Sequence, residues 1–367
     1  MKRKLVFSML AFSLIACSLL SGCGFKDIDK RYFVVAMAID KTENEEKPYR
    51  ITLKFGVPSI EIDAGKSKTQ VEKIDTASIA EGVRMLKAQV DKEIDFGHCN
   101  VFLLGDSLSQ DNIREAVHWM SRRRDIQNIA AIGIGSPIAG DIIKEQPAVE
   151  RFPGNSLYLF FSTDATESSY TFVELLTDLT RRLDEKGLDP ILPIVEIDKE
   201  DITYNINKVA LLNKEKVVLT LEPEDTQLLN QLMFKLNRSN LYGSFRNDPY
   251  VISIHETKMK YKIQKNEQGT NIDMSIKLAV TFEEMPTNAY FDHPEEITQQ
   301  LETAYSKAVT KLLEKIQEAG VDPIGFGLRY RAKYQLENFD REWPAIYQSM
   351  NFNVKTKIEV RGTGLLK

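Results

Sequence analysis

The feature that most constrains the fold is a rhythm in the first half of the chain, where short, wholly apolar runs alternate with helix-like periodicity. The runs CNVFLLGD at 99–106 and IAAIGIG at 129–135 are typical of buried strands. Between them, Ile113, Val117 and Met120 recur at helical spacing and mark one face of a helix. A strand, a helix and another strand in this order predict a βαβ unit with a parallel pair of strands.

The part of the chain before this unit predicts a hairpin. The apolar run YFVVAMAID at 32–40 is typical of a buried strand, and YRITLKFGV at 49–57 alternates as its antiparallel partner. A helix follows whose apolar face comprises Ile79, Val83, Leu86 and Val90. Further along, one helix is expected after Pro137, which suits a first helical turn, and another over residues 171–187 with Gly187 as its C-cap.

The second half of the chain has a different pattern, in which alternating segments pair around polar turns. Residues 207–212 and 217–221 predict one hairpin, and residues 250–263 and 271–282 predict a second. The C-terminal segment predicts a strand with one solvent-exposed face. The apolar face of this strand comprises Phe352, Val354, Ile358 and Val360.

Two helices are predicted among these strands. One begins at Pro223, and the other runs over residues 294–319 and ends before Gly320, its expected cap. The apolar face of the long helix comprises Ile297, Leu301, Tyr305, Ala308, Leu312, Ile316 and Ala319.

A polar segment, DKEDIT at 198–203, separates the two halves and predicts a domain boundary near residue 200. The predicted fold is α+β and multi-domain, with mixed β-sheets flanked by helices. Its N-terminal half contains the βαβ element, and its C-terminal half consists mostly of antiparallel hairpins and the long helix. The predicted segments are a leader at 1–22 and two domains at 23–200 and 201–367.

The N-terminus predicts export. Three basic residues at 2–4 precede an apolar run at 5–20, which is shorter than the ~20 residues that a transmembrane helix needs. A basic region, an apolar region and small residues before a cleavage site are typical of a secretory signal peptide. The sequence LSGC at 20–23 resembles a bacterial lipobox, in which the cysteine thiol receives a diacylglyceryl group and cleavage makes that cysteine the first residue. Cys23 is therefore the predicted lipid attachment site.

The alternative is an ordinary signal peptide followed by an incidental cysteine. The small residues and the cysteine at the correct place after the apolar run favour the lipobox. Each buried acyl CH₂ contributes about 0.8 kcal/mol, and one chain alone binds a membrane only marginally. A diacylglyceryl group carries two chains, and N-acylation, for example with palmitate, adds a third. We therefore expect a stable membrane anchor without a transmembrane helix.

Charge and cysteine content disfavour further classes of protein. The formal net charge is −5, and loss of the three basic residues of the leader makes the mature chain −8. An acidic chain lacks the positive charge that drives binding to nucleic acid or to an anionic lipid surface. Once Cys17 is removed and Cys23 is acylated, Cys99 is the one remaining cysteine, so no disulfide framework is expected.

The sequence contains no complete catalytic or metal-binding motif. Gly133 and Gly135 lack the third glycine of a dinucleotide fingerprint, and tight packing at a strand end is the favoured interpretation. His98 and Cys99 are neighbours on a predicted strand and point to opposite faces, which disfavours a shared metal. No HExxH or G-x-S-x-G sequence is present. We therefore assign no catalytic, cofactor-binding or metal-binding residue.

Three arginines in the segment RRRD at 122–125 follow a predicted helix. Cations at a helix C-terminus complement the negative end of its macrodipole, and this is the favoured interpretation. Binding to a lipid phosphate or to an acidic partner is the alternative.

Three blocks carry a resemblance to a known family: GCGFKDIDKRYFVVAMAID after the apolar run, then DFGHCNVFLLGDSL, then a C-terminal series of DPIGFGLRYRAKY, REWPAIY and RGTGLL. With these blocks in this order, the chain resembles the Ger(x)C family, the lipoprotein C subunits of spore germinant receptors. The blocks cover nearly the whole mature chain, and their succession is more specific than any one of them.

The resemblance implies a non-catalytic, lipid-anchored subunit that is required for nutrient-triggered spore germination. It implies a location on the outer face of the spore inner membrane, and on the bacterial cell membrane before sporulation is complete. The implied partners are a membrane-embedded A-type subunit and a transporter-like B-type subunit. One alternative is a cell-envelope enzyme, which the lack of a catalytic motif disfavours, and the other is a lipid-anchored solute-binding protein of a transporter. Such proteins bind solutes between two α/β lobes, which the hairpins of the second half disfavour.

Overall fold

The computed structural model describes residues 30–57, 69–145, 147, 155–162, 168–198, 203–234, 239–245, 248–267, 269–284 and 293–362, together with residues 3, 4, 7 and 9. Cys23 and the rest of the predicted lipobox lie outside these residues. The described part of the chain forms two β-sheets with helices packed against both, so the predicted α+β class is confirmed.

The first sheet has a parallel centre with antiparallel strands on both sides. In chain order its strands are β1 (Arg31–Lys41), β2 (Tyr49–Gly56), β3 (Thr69–Thr76), β4 (Glu93–Asp95), β5 (Val101–Gly105), β6 (Ala131–Gly135), β7 (Ile191–Asp198), β8 (Thr203–Leu212) and β9 (Val217–Leu221). The spatial order is β3-β2-β1-β5-β6-β7-β8-β9, with β4 also paired to β1. Strands β1, β5, β6 and β7 run parallel, which confirms the predicted βαβ unit. Every residue of β5 and β6 is buried because helices cover both faces of this centre.

The helices of the first half are α1 (Ile79–Lys87), α2 (Asp106–Ser109), α3 (Arg114–Ser121), α4 (Ala139–Lys144), α5 (Asn155–Phe161) and α6 (Leu176–Asp184). Helices α1, α3 and α6 share a core on one face of the sheet, and α4 and α5 pack on the other. The predicted apolar faces of α1 and α3 are buried, except that α1 ends at Lys87 and leaves the half-buried Val90 in the following turn.

Two helix boundaries differ from the prediction for physical reasons. Helix α6 begins at Leu176, because the preceding residues pair with β6: the Ile132 N–H donates to the Glu174 carbonyl at 2.9 Å. Its C-cap is Glu185, so Gly187 is not the cap. Helix α4 begins at Ala139 rather than at Pro137. The buried carboxylate of Asp40 accepts the N–H groups of Ala139 and Gly140, the first two residues of this helix.

The second sheet has the order β10-β11-β12-β13. Its strands are β10 (Ser239–Phe245), β11 (Asp248–Asn266), β12 (Gly269–Glu284) and β13 (Asn351–Gly362), and the helices of this half are α7 (Pro223–Phe234), α8 (Pro294–Glu318), α9 (Phe326–Lys333) and α10 (Phe339–Gln348). The β11–β12 hairpin is confirmed, and β13 pairs parallel to β12. A parallel neighbour requires a long crossover, which α8, α9 and α10 supply. The apolar face of α8 contains Val309, whereas the predicted Ala308 is exposed.

The hairpin β8–β9 is confirmed, but it extends the first sheet, because β8 pairs antiparallel with β7. The first sheet therefore continues past residue 200. One hydrophobic cluster joins Ile191 and Leu211 of this sheet to Leu312 and Ile316 of α8. The two halves thus share a core, and the division at residue 200 remains a prediction about domains.

Candidate functional site

The glycines of the IGIGSP segment lie where two backbones approach closely. A Cβ atom on Gly133 would lie 2.9 Å from the Pro193 carbonyl oxygen, and one on Gly135 would lie 2.6 Å from the Cα of Ala139. Real Cβ atoms do not come so close to backbone atoms, so these positions need glycine for packing. The geometry supports the tight-packing interpretation of this segment.

His98 and Cys99 face different surroundings. The Cys99 thiol is fully buried and donates to the Val101 carbonyl at 3.6 Å, and burial raises the pKa of this thiol. The exposed His98 ring makes an edge contact with Phe33 at a centroid distance of 4.8 Å. Within the described residues, no three His, Cys, Asp or Glu side chains are grouped to hold a metal ion.

The arginines of the RRRD segment divide into two kinds. The Arg123 guanidinium lies over the rings of Phe96 and Trp119, 4.8 and 5.0 Å from their centroids, and it pairs with Asp125. Arg122 is the C-cap residue of α3, and the side chains of Arg122 and Arg124 are exposed. Arg123 is therefore held by aromatic rings and a carboxylate rather than by helix carbonyls.

The first and second sequence blocks meet at Asp40, the residue that ends the run YFVVAMAID in β1. Its carboxylate is 6% exposed and accepts the backbone N–H groups of Ala139 at 2.8 Å and Gly140 at 2.9 Å. Burial raises the pKa of Asp40 above its ordinary value, against the opposing effect of these two bonds. A Cβ on Gly105 would lie 2.0 Å from the Asp40 carboxylate, so the glycine of the second block makes room for the aspartate of the first.

The start of the third block, residues 322–328, contacts the loop after α6, residues 185–189. We call these two segments the joint between the two halves, and Asp322 lies at its centre. Its buried carboxylate accepts the N–H groups of Gly325 at 2.8 Å and Gly327 at 2.7 Å, and burial raises its pKa to about 7. Its backbone pairs with the loop after α6: the Asp189 N–H donates to the Asp322 carbonyl at 2.8 Å, and the Asp322 N–H donates to the Asp189 carboxylate at 2.7 Å. These bonds connect positions 133 residues apart in sequence.

Glycine allows the two loops of this joint to touch. A Cβ on Gly327 would lie 2.6 Å from the Cα of Gly187 and 2.9 Å from the ring of Trp343. Gly187 has φ +78°, a left-handed conformation that glycine adopts without strain, and its carbonyl accepts the Leu328 N–H at 3.0 Å. The pair Gly187–Gly327 is therefore a backbone-to-backbone contact that no larger residue fits.

A buried cation, Arg182, and a half-buried one, Lys214, complete the joint. Arg182 of α6 donates to the carbonyls of Pro323 at 2.9 Å and Asp189 at 3.1 Å, and its Nε lies 3.1 Å from the Glu174 carboxylate without hydrogen-bond alignment. The Lys214 ammonium donates to the Glu185 carbonyl at 2.7 Å and to the carbonyls of Arg182 and Leu188. It thus provides hydrogen-bond donors for carbonyl groups at the C-terminal end of α6 and in the loop that follows. Burial lowers the pKa of Lys214, and it raises the pKa of Glu174 to about 8.

A groove of about 680 Å³ opens beside the joint. Its walls include Arg114, Lys186, Phe339 and Trp343. Lys186 pairs with Asp340 across the halves, and Arg331 pairs with Glu185. Backbone hydrogen bonds, glycine contacts and ion pairs thus hold the joint together. These contacts connect the two halves of the chain.

The residues of the joint carried no assigned role at the level of sequence. The one available signal is the spacing D-x-x-G-x-G in 322–327, because an aspartate often accepts N–H groups a few residues further along. The partner loop has no comparable signal. None of the helices formed by the described residues combines the length and the apolar character needed to cross a membrane.

Comparison with known proteins gives matches over both halves. The model of the spore germination protein N-terminal domain matches residues 24–197, and the model described as spore germination B3/GerAC like, C-terminal, matches residues 207–364. The chain is 21% identical to spore germination protein B3 of Bacillus subtilis (strain 168), over 99% of both chains. It is 20% identical to spore germination protein KC of the same organism, over 100% of this chain and 97% of the relative.

Among solved structures, the crystal structure of the GerBC protein has the same fold. The TM-score is 0.57 at 16% sequence identity, and the match covers 89% of this chain and 96% of GerBC. The two family models occur in the same order as the halves described above. The chain belongs to the Ger(x)C family of spore germinant receptor subunits.

Proposed function

We propose that this protein is the lipid-anchored subunit of a nutrient germinant receptor and acts as a non-catalytic assembly or interaction module. The observation that carries the proposal is the match of both domain models, in order, over residues 24–197 and 207–364. The character of the joint supports it, because buried bonds between backbone segments stabilise a shape and do not activate a substrate.

In this proposal Cys23 carries the acyl chains and is the membrane anchor. The protein sits on the outer face of the spore inner membrane, beside an A-type membrane subunit and a transporter-like B-type subunit. Tethering raises its effective concentration near these partners to the millimolar range for a short linker, so weak contacts are sufficient for assembly.

The alternative is a solute-binding protein, which closes two lobes around its ligand. The joint argues against such a hinge, since closure would break the Asp189–Asp322 backbone pairing and the buried bonds of Arg182. An unpaired buried polar group costs about 1–3 kcal/mol, and closure would leave several of these groups without their partners at once.

A deletion strain tests the proposal. We expect spores without this protein to fail with one class of nutrient germinant, while vegetative growth and solute uptake stay normal. The Cys23→Ser variant should be released from membranes or remain uncleaved, and it should reproduce the germination defect in part. High expression should restore some function, because the anchor supplies local concentration and not the contacts themselves. Normal germination with loss of uptake of one solute would instead identify a solute-binding protein.

A further inference from the structure

The length of chain between the proposed anchor and the first strand limits how the protein can lie on its membrane. β1 begins at Arg31, and seven residue steps separate Cys23 from Lys30. A fully extended chain spans at most about 3.6 Å per residue, so Lys30, the residue before β1, lies within about 25 Å of the lipid attachment point. This argument rests on the proposed lipidation of Cys23.

The loop that carries the arginines is fixed at the same end of the first sheet. β4 pairs with the first residues of β1, and Phe96, directly after β4, holds the Arg123 guanidinium. The Gln127 amide donates to the Gly97 carbonyl at 2.6 Å. Ala131 is in register with Val101, which in turn is in register with Ala36 of β1. Residues 122–129 therefore lie beside the first half of β1.

This end of the molecule exposes two ammonium groups, of Lys30 and Lys92, and two carboxylates, of Asp91 and Glu93, whose charges balance, so its excess positive charge comes from the arginine loop. Arg31 is paired with Asp95 at 2.8 Å, and Arg123 is paired with Asp125. Arg122 and Arg124 are exposed and form no ion pair with any residue in the described ranges. Ile129, a few residues later, is 68% exposed. We name Arg122, Arg124 and Ile129 the tether-end patch.

The opposite end of β1 has the opposite charge. The turn between β1 and β2 exposes three carboxylates, at Glu43, Glu45 and Glu46, against the single exposed ammonium of Lys47. The arginine loop ends beside Ala36, five residues before the end of β1, and a strand rises about 3.3 Å per residue, so about 16 Å or more of β1 separates this loop from the acidic turn. This separation is about two Debye lengths at physiological salt, so a charged surface acts on the two regions largely separately.

We propose that the tether-end patch rests on the anionic lipid surface of the anchoring membrane, with the acidic β1–β2 turn pointing away. The net charge of −8 for the mature chain predicts no attraction to such a surface as a whole. The charge distribution changes this prediction at one end, because the two unpaired arginines are attracted while the acidic remainder is repelled. Together with the short tether, this difference orients the molecule and presents one side of it to membrane-embedded partners.

Fluorescence quenching on vesicles tests the orientation. Cys99 is fully buried and Cys23 is acylated, so a single introduced thiol takes the dye. The acylated full-length protein, as Ile129→Cys or Glu45→Cys, is reconstituted into vesicles of phosphatidylcholine and phosphatidylglycerol that contain a headgroup nitroxide lipid. We expect the dye at position 129 to be quenched at least fivefold more strongly than the dye at position 45.

A charge-reversal pair tests the role of the arginines. Each basic residue near an anionic surface contributes about a fivefold change in association. Arg124→Glu removes this attraction and adds a repulsion, so it should lower quenching at position 129 by at least about fivefold. Lys47→Glu is the matched control, an exposed cation at the other end of β1, and should leave quenching unchanged. Vesicles of phosphatidylcholine alone should lower quenching at position 129 as Arg124→Glu does, and unchanged quenching there would overturn the role of lipid charge.

Flotation of the vesicles separates two kinds of failure. If the protein floats with vesicles but both dyes are quenched equally, the orientation is wrong and the anchor stands. If the protein does not float, the lipid anchor is wrong and the orientation falls with it. Unchanged melting temperatures of the Arg124→Glu and Lys47→Glu variants are expected, because both side chains are exposed, and they exclude misfolding as the cause of any loss.

Discussion

At the scale of single residues, the structure depends on a few positions where the size of one atom matters. Gly105, Gly187 and Gly327 each leave space for a group on a distant segment: the carboxylate of Asp40 in one case and a facing backbone in the others. Two buried carboxylates then accept backbone N–H groups that would otherwise be buried without a partner. Asp40 follows an apolar run, and Asp322 precedes two glycines.

Replacing Gly327 by alanine should destabilise the joint. The new Cβ would meet the backbone of Gly187 at 2.6 Å, and backbone cannot rotate away as a flexible side chain does. We expect a loss of about 1–3 kcal/mol in the free energy of unfolding, measured by urea denaturation. Gly362→Ala is the control, since its Cβ would lie 3.7 Å from the nearest atom. Equal stability of the two variants would contradict the close contact.

The Asp322 carboxyl should make stability depend on pH. Burial raises its folded-state pKa to about 7, above the ordinary 3.8, so the folded protein retains a proton that the unfolded chain releases. The stabilising effect is complete below pH 4 and is lost as pH rises from about 4 to about 7, with a total on the order of 4 kcal/mol.

Comparison with Asp322→Asn isolates this carboxyl from all others. The variant cannot ionise at position 322, so the difference in unfolding free energy, wild type minus variant, should decrease between pH 4 and pH 7. Urea denaturation at several pH values measures it. A difference that increases over the same range would mean that the N–H groups of Gly325 and Gly327 hold an ionised carboxylate.

At the scale of elements, β13 shows how one edge of the second sheet is partly covered by a helix. Two of its N–H groups donate to side chains of α8: Thr356 to the Ser306 hydroxyl at 3.1 Å and Ile358 to the Glu302 carboxylate at 2.9 Å. An uncovered edge strand is a template for pairing with another chain, and here helix side chains occupy these donors. The crossover helix therefore both allows the parallel pairing and protects the strand.

Glu302→Ala should lower stability by about 1–3 kcal/mol, because the partly buried N–H of Ile358 loses its acceptor. Amide hydrogen exchange at Ile358 should become faster, while exchange at Leu278, on the paired strand, changes less. Glu314→Ala removes an exposed carboxylate from the same helix and serves as the control. Unchanged exchange at Ile358 would show that α8 does not protect this edge.

At the scale of the whole molecule, the two halves share one hydrophobic cluster in spite of their different sheets. The hydrophobic cluster that contains Ile191 and Leu211 of the first sheet also contains Leu312 and Ile316 of α8. The Asp189–Asp322 pairing and the Gly187–Gly327 contact lie beside this cluster. We expect that neither half keeps its packing once the other has unfolded.

The two tryptophans report on this cooperativity, since Trp119 lies against Phe96 in the first half and Trp343 lies against Gly327 in the second. Trp343→Phe and Trp119→Phe each leave one reporter. In each variant the midpoint of urea unfolding by fluorescence should coincide with the midpoint by far-UV circular dichroism. Two separate midpoints in either variant would show that the halves unfold independently.

Much of the local structure could be predicted because it depends on neighbouring residues. The βαβ unit, both hairpins of the second half and the long helix α8 follow from periodicity, and the structure confirms them. Two of the errors share one cause. Residues 171–175 have helical periodicity but pair with β6, and the β8–β9 hairpin joins the first sheet, because distant backbone groups compete for the same hydrogen bonds.

Apolar periodicity and short sequence blocks predict the class of fold, the order of most elements and the family, because these signals lie in consecutive residues. Three features become visible only in the folded chain: the first sheet continues past residue 200, β13 runs parallel to β12, and Asp322 contacts Asp189. The physical reason is that each of these contacts joins segments far apart in the chain. The free energy of each contact depends on which other segments could cover the same apolar surface or accept from the same N–H group. A local sequence pattern does not contain this information.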